Sequence, residues 1–438
     1  MSSMKSFHII TFGCQMNEHD SERITGILEG QGCISTPDPV NADMIILNTC
    51  SIREKAEQKF YSELGRLRKL KDVNPGLKIA VAGCIAQQEG AGILSRAPYV
   101  DIVFGPSDIA RLSSTVERKS GSSSFIDTAG DPEYHRKRIP TSRVDKVKAW
   151  VSIMYGCDNF CTYCVVPYLR GRERSRPHEN ILQEIKELAQ KGYKEITLLG
   201  QNVNSYGKGL GRDVDFPALL RMVNEISGIE RVRFVTSHPR DLSDDLIAAM
   251  RELPKVCEAL HLPIQSGSDR ILSSMNRKYS QKDYLEIVKK LRRSVPDISL
   301  TTDIIVGFPG ENEEDFEITL NLLEEVQFDS IFAFKYSKRP GTSALKLANH
   351  IREQVKEARL TQVLAVQKTI TLEKNKTYVG TKQEILIDGF SKRGGKMSGR
   401  TRSNKVVNVE ASADLIGSVS DVTIISAGVN SLTGMICA

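Results

Sequence analysis

The stretch GCDNFCTYC places Cys157, Cys161 and Cys164 with three residues and then two between them. Thiolates at such spacing hold metal. A structural zinc almost always takes four protein ligands, usually from paired Cys-x-x-Cys knuckles, and no fourth cysteine lies close by. Three thiolates are enough for three irons of a 4Fe–4S cluster, which leaves one iron open to an outside ligand. The aromatic Tyr163 before the last cysteine makes the pattern more specific; a structural metal loop is the competing reading.

A second triplet is spread along the first hundred residues. Cys14, Cys50 and Cys84 close three strand-length apolar runs, FHIITFGC, DMIILNTC and KIAVAGC. Free cysteine is often simply buried, which explains any one of them. Three at equivalent strand ends, flanked by the polar GCQMNEHDS, NTCSIREKAEQK and GCIAQQEG, fit a second three-thiolate site better. Soft thiolates suit iron–sulfur ligation or zinc. The cysteines number nine, an odd count, and the N-terminal MSSMKSFHIITFGC lacks the apolar core of a secretory signal. A disulfide framework therefore reads poorly, and metal chemistry in a reducing cytoplasm reads well. Cys33, Cys257 and Cys437 read as non-ligands.

These residues need elements to carry them. A chain of 438 residues exceeds one ordinary core. Residues 1–118 alternate strand and helix, which predicts a parallel α/β domain whose strand ends deliver ligands to one edge. Residues 119–146, rich in Ser, Gly, Pro and charge, read as a linker. Six further strand candidates, AWVSIMYG, EITLLG, VRFVTS, EALHLPIQ, LTTDIIVGF and SIFAFKYS, alternate with amphipathic helices through 147–375. They predict an incomplete (β/α)6 barrel with chemistry at the carboxyl ends of its strands. Residues 376–438 read as short strands broken by Gly and Asn turns, a small antiparallel barrel. That module holds eight Lys and Arg against five Asp and Glu. No apolar run is long enough to cross a membrane, and the whole-chain net charge of +6 permits an acidic partner.

GCDNFCTYC resembles the radical S-adenosylmethionine superfamily. The resemblance implies that the open iron binds S-adenosylmethionine and that one electron yields a 5′-deoxyadenosyl radical. Tyr163 then stands where the family sets an aromatic against adenine, with loop packing as the alternative. GQNVNSYG (200–207) falls where the cofactor's amino group is bound but lacks the usual acidic residue; Gln201 or Asn202 can substitute. SHP (237–239), PIQSGSD (263–269) and DIIVGFPGE (303–311) end later strands in polar, Gly-rich turns. The whole chain is similar to the methylthiotransferases, with an N-terminal cluster domain, a radical barrel and a terminal TRAM barrel that binds RNA. GCQMNEHDS, NTCSIREKAEQK and VVPYLRGRERSRP look like the tRNA-modifying MiaB type. The resemblance implies two 4Fe–4S clusters, on Cys157, Cys161 and Cys164 and on Cys14, Cys50 and Cys84. It also implies tRNA as substrate, methylthio transfer to carbon 2 of N(6)-dimethylallyladenosine beside the anticodon, and S-adenosylmethionine as source of both methyl group and radical. Another modified adenosine, or a ribosomal-protein aspartate, is the alternative substrate. Acid–base catalysis supplies about 10²–10⁴-fold and is too weak alone for an inert C–H bond, so no catalytic residue beyond the cluster ligands is picked out.

For RNA, Arg170, Arg172, Arg174 and Arg176 in YLRGRERSRP are spaced two apart and would point one way in an extended chain. Contact with RNA or cofactor competes there with a solvated run paired to Glu173 and Glu179. Lys392, Arg393, Lys396, Arg400 and Arg402 form a basic stretch suited to backbone recognition. A reduced flavodoxin- or ferredoxin-type donor and a monomeric chain complete the expectation. A non-catalytic RNA-binding protein with structural zinc is the reading from another class.

Overall fold

The computed structural model describes residues 5–51, 54–117, 125–131, 133–210, 214–391 and 394–437. The chain divides into two compact units. One takes Met1–Val144, Met154–Asp158 and Cys164–Asn180; the other takes Asp145–Ile153, Asn159–Tyr163 and Ile181–Ala438.

The first unit is built on a six-stranded sheet of β1 (Ser6–Thr11), β2 (Ile34–Ser35), β3 (Met44–Thr49), β4 (Lys78–Gly83), β5 (Ile102–Phe104) and β6 (Phe125–Asp127). The order is β2-β1-β3-β4-β5-β6 and every ladder is parallel. MIILNT is buried at all six positions of β3 because both faces of a central parallel strand are covered. Ile45, Leu47, Ile79 and Val81 pack against Phe60 and Leu64 of the helix Glu54–Val73. The expected linker is corrected here. Residues 125–127 of it add the sixth strand, Tyr134 is buried, and Arg143 pairs with Glu22 at 3.3 Å. Its low periodicity reflects a three-residue edge strand and a segment held by side-chain bonds, neither of which makes a repeating pattern.

The chain enters the second unit with β7 (Lys148–Ser152). It returns to the first for the antiparallel pair β8 (Met154–Tyr155) and β9 (Arg174–Ser175). It then builds β10 (Glu195–Leu199), β11 (Arg231–Phe234), β12 (Ala259–His261), β13 (Ser299–Val306) and β14 (Ser330–Lys335). These form the parallel runs β7-β10-β11 and β12-β13-β14, joined by a bridge between Val232 and Val256. Among the described residues no ladder joins β7 to β14, so the six strands make an open arc. On β13, Leu300, Thr302, Ile304 and Val306 are buried while Thr301, Asp303 and Ile305 on the other face are half-buried. Capping boxes start the intervening helices at Ser280/Asp283 and Asn312/Asp315.

A closed barrel follows the helix Glu353–Lys376. Its strands are β15 (Lys382–Phe390), β16 (Met397–Thr401), β17 (Val406–Val409), β18 (Val419–Ala427) and β19 (Leu432–Ile436), in ring order β15-β16-β17-β19-β18. Four ladders are antiparallel and β17–β19 is parallel. Parity requires it: strands alternating up and down cannot close a ring of five. This barrel seals the amino-terminal ends of the central strands. Arg231 donates to Arg400 O and Glu384 Oε1, both at 2.6 Å. Arg233 donates to Glu195 Oε2 at 2.9 Å and to the carbonyls of Thr401 and Arg402 at 2.8 Å. Lys405 pairs with Asp329 at 2.9 Å.

Candidate functional site

Cys14, Cys50 and Cys84 follow the carboxyl ends of β1, β3 and β4, three neighbours in the sheet. Polar residues beside the cysteines tie these ends together. Asn17 Nδ2 donates to Phe12 O (3.0 Å) and Thr49 O (2.7 Å), and Thr49 Oγ1 donates to Ala82 O (2.6 Å). Gly13, at φ +118°, has room for no side chain: a Cβ there would lie 2.2 Å from Cys50 Cβ. Cys50 and Cys84 are buried and Cys14, at the N-cap of helix Gln15–Gly30, is half-buried. A hydrogen bond with Cys50 draws the Cys14 thiol down to about 6 against the opposing effect of burial, and Arg170 adds to the lowering. Burial raises the Cys84 thiol, with Arg170 acting the other way. Three thiols at one strand edge beside a guanidinium fit a thiolate-ligated iron–sulfur cluster. Among the described residues, no group of three or more His, Cys, Asp or Glu that could hold a single metal ion is found.

The three-cysteine loop is set by its surroundings in each unit. In the first, Gly156 turns at φ +75°, where a Cβ would meet Arg172 O at 2.1 Å, and Cys157 N donates to Gly171 O at 3.2 Å. Cys164 leads into the helical turn Val166–Leu169. In the second, Thr162 N donates to Met275 O (3.0 Å) and Asn276 Nδ2 to Phe160 O (3.0 Å). Arg277 donates to Cys161 Sγ at 3.4 Å and to Pro263 O at 2.6 Å. Burial opposes its charge and is outweighed by Tyr163, Tyr279 and Cys161. Tyr163 packs against a cluster holding Met275, Phe308 and Tyr336.

Around the carboxyl ends of the central strands, polar atoms and strained backbone gather. Gln201 Oε1, Asn202 Oδ1, Asn204 Oδ1, Ser237 Oγ and Tyr336 OH are buried atoms with no hydrogen-bond partner among the described residues. Thr236 (φ +69°) and Gln265 (φ +78°) hold left-handed backbone that a β-branched or long side chain rarely adopts. A carboxylate from the next strand end stands beside 200–207, since Asn202 Nδ2 donates to Asp241 Oδ2 at 2.7 Å. Arg240 links Asp241 to Asn159 Oδ1, the latter at 2.6 Å. Unsatisfied acceptors and a carboxylate suit an amino-acid-bearing nucleoside such as S-adenosylmethionine. The glycines of the Gly-rich turns serve packing: a Cβ on Gly267 would meet Thr319 Cα at 2.7 Å, and one on Gly307 would meet Lys356 Cγ at 2.1 Å.

The basic candidates separate. The four arginines after the loop do not form one row, because the segment is a helical turn followed by only two residues of strand. Arg170 and Arg176 are buried, while Arg172 and Arg174 are exposed. Arg170 is bound to Asp20 and Asn17 and is withdrawn from any phosphate. Arg172 pairs with Asp158 at 2.7 Å. Arg402 is committed to Glu258 and Val256 O, at 2.7 and 2.8 Å, so it is a docking residue of the terminal barrel and not an RNA contact. Arg400 bonds Asn404 Oδ1 at 3.1 Å, and Lys396 lies 3.3 Å from Glu410 on the surface. Lys392 and Arg393 lie outside the described residues. Asn17, Asp20, Asp241 and Arg277 were not signalled by any spacing, since their partners are remote in sequence.

Residues 151–323 match the Radical SAM superfamily, 376–436 the TRAM domain, and 6–105 the uncharacterized protein family UPF0004. Among solved structures, the chain is similar to the radical S-adenosylmethionine methyltransferase TsrM of Kitasatospora setae. The TM-score is 0.59 at 11% identity, covering 84% of this chain and 89% of that one. That likeness speaks to fold alone. Proteins named tRNA-2-methylthio-N(6)-dimethylallyladenosine synthase are far nearer in sequence. The one from Thermodesulfovibrio yellowstonii is 53% identical, covering 92% of this chain and 93% of its own. The one from Clostridium novyi is 50% identical, covering 99% and 96%. With this identity maintained across nearly the whole length, the chain belongs to the tRNA-2-methylthio-N(6)-dimethylallyladenosine synthase family of radical S-adenosylmethionine enzymes.

Proposed function

We propose that the chain adds a methylthio group to carbon 2 of N(6)-dimethylallyladenosine in tRNA, using S-adenosylmethionine and two 4Fe–4S clusters. The observation that carries the two-cluster reading is the second triplet of thiols, delivered to one edge by three adjacent strands. The clusters, when bound with S-adenosylmethionine, supply the radical that opens the C–H bond and the sulfur that replaces its hydrogen. Cys157, Cys161 and Cys164 hold the radical-forming one; Cys14, Cys50 and Cys84 hold the other. Asn202 and Asp241 orient the cofactor's amino end, and Gln201 stands beside them. Lys392, Arg393, Lys396 and Arg400 of the terminal barrel, with Arg172 and Arg174, meet the RNA backbone. We place the reaction in the cytoplasm on a monomeric enzyme, with a reduced flavodoxin- or ferredoxin-type protein as electron source.

The test is anaerobic reconstitution followed by reaction with dimethylallyl-modified tRNA and mass analysis of its nucleosides. About eight irons per chain are expected from two four-iron clusters. Cys157→Ala abolishes cleavage of S-adenosylmethionine. Cys50→Ala spares some cleavage but gives no methylthio nucleoside. Tightly held zinc without cofactor cleavage would sink the proposal.

A further inference from the structure

Arg170 belongs to the segment that follows the three-cysteine loop, yet its guanidinium is bound on the helix that begins next to Cys14. Its side chain is 5% exposed and its Nη2 donates to Asp20 Oδ2 at 2.8 Å and Asn17 Oδ1 at 3.2 Å. Both partners stand on the helix that begins just after Cys14. The guanidinium and the Cys14 thiol donate to the same acceptor, Asn17 Oδ1, at 3.2 and 3.7 Å, and the positive charge favours the thiolates of Cys14 and Cys84. A buried ion pair with a carboxylate alone would be costly and could be replaced by apolar side chains at little loss. Here the cation also bears on two of the sulfur ligands, Cys14 and Cys84. Resting on the reading of Cys14, Cys50 and Cys84 as cluster ligands, we infer that Arg170 is the positioning residue of that second site. It is anchored by Asp20 and Asn17 so that its charge bears on the thiolates and raises the reduction potential of the cluster they hold.

The physical basis is charge. Three thiolates on a four-iron cluster leave a net negative group in a buried place, and reduction adds one more. A fixed cation favours the reduced state, since net charge helps to set iron–sulfur potentials. A residue that merely neutralised Asp20 would not do so once Asp20 itself was neutral.

The experiment uses the full chain with Cys157→Ala, Cys161→Ala and Cys164→Ala, so that only the second cluster is loaded. Iron and sulfide content and a potentiometric titration followed by electron paramagnetic resonance are measured on Asp20→Asn, Asp20→Asn/Arg170→Gln and Asp20→Asn/Arg170→Lys. Removing both partners avoids leaving an orphaned buried charge. Against Asp20→Asn, the Gln variant is expected to hold a reduced-to-oxidised ratio at least tenfold lower at the same potential, about 59 mV for one electron. The Lys variant should recover most of it. Loss of the cluster in the Gln variant but not the Lys variant also supports the role. Equal potentials in the Gln variant and Asp20→Asn, or equal loss of cluster in Gln and Lys variants, overturn it. Absence of any cluster from the parent triple-alanine chain would instead overturn the reading of Cys14, Cys50 and Cys84.

Discussion

His238 sits past the end of β11, 5% exposed, with its Nδ1 accepting from Arg240 N at 3.2 Å. Burial drives its pKa to about 2, and the nearby Arg277 and Arg240 push the same way. An unfolded histidine titrates near 6.5. Between those values only the unfolded chain binds the proton, so stability is full above about pH 6.5 and drains as the pH falls below it. His238→Asn keeps a side-chain acceptor for the cap and removes the titration. Urea unfolding of the two proteins should differ by a constant amount above pH 6.5. Below it the wild type should lose, relative to the variant, up to about 1.4 kcal/mol per pH unit. Parallel profiles down to pH 5 would contradict this. At this scale the strand-end positions of Cys14, Cys50 and Cys84 were legible because apolar runs that close in a cysteine survive in a linear sequence. Arg170 and Arg277 were not, because an arginine in a polar segment reads as surface until its remote partner is in place. For Arg170 that partner, Asp20, is 150 residues away.

The elements were read with more success than their joints. Each of the six strands of the central arc overlaps a strand-length run visible without a structure, although β11 (RVRF) carries two arginines and β12 (ALH) has three residues. The parallel closure of β17 on β19 is a matter of ring parity, and the docking of the terminal barrel lies in polar side chains that look solvent-bound. Glu195, Arg231 and Arg233 are all buried where that barrel meets the central strands. Glu195→Gln leaves the Arg233 charge with neutral acceptors in place of its carboxylate, the amide oxygen and the carbonyls of Thr401 and Arg402. The expected cost is about 3–5 kcal/mol, as for other buried pairs robbed of one partner. Adding Arg233→Met should cost less than the two single changes summed, because no orphaned charge remains. A urea midpoint unmoved by Glu195→Gln would show that the floor of the arc is wetter than its burial implies.

At the scale of the whole chain, the boundaries of the family matches and of the folded units diverge. The first unit is discontinuous and draws on residues 154–158 and 164–180. Those segments bring Tyr155, whose hydroxyl accepts from Arg23, and Arg170, which neutralises Asp20. A fragment of residues 1–144 therefore contains Asp20 without its cation. Asp20→Asn should stabilise that fragment and destabilise the full chain, where it strands Arg170 instead. Opposite signs in two urea titrations are the expected result, and equal signs would refute it.

The same pairing bears on how relatives of this protein can diverge. An exchange of genetic material that replaced only the first hundred or so residues would separate a carboxylate from the guanidinium it selected. A viable hybrid must inherit both ends of that bond, so the leading domain and the segment after the radical loop are bound to travel together through evolution.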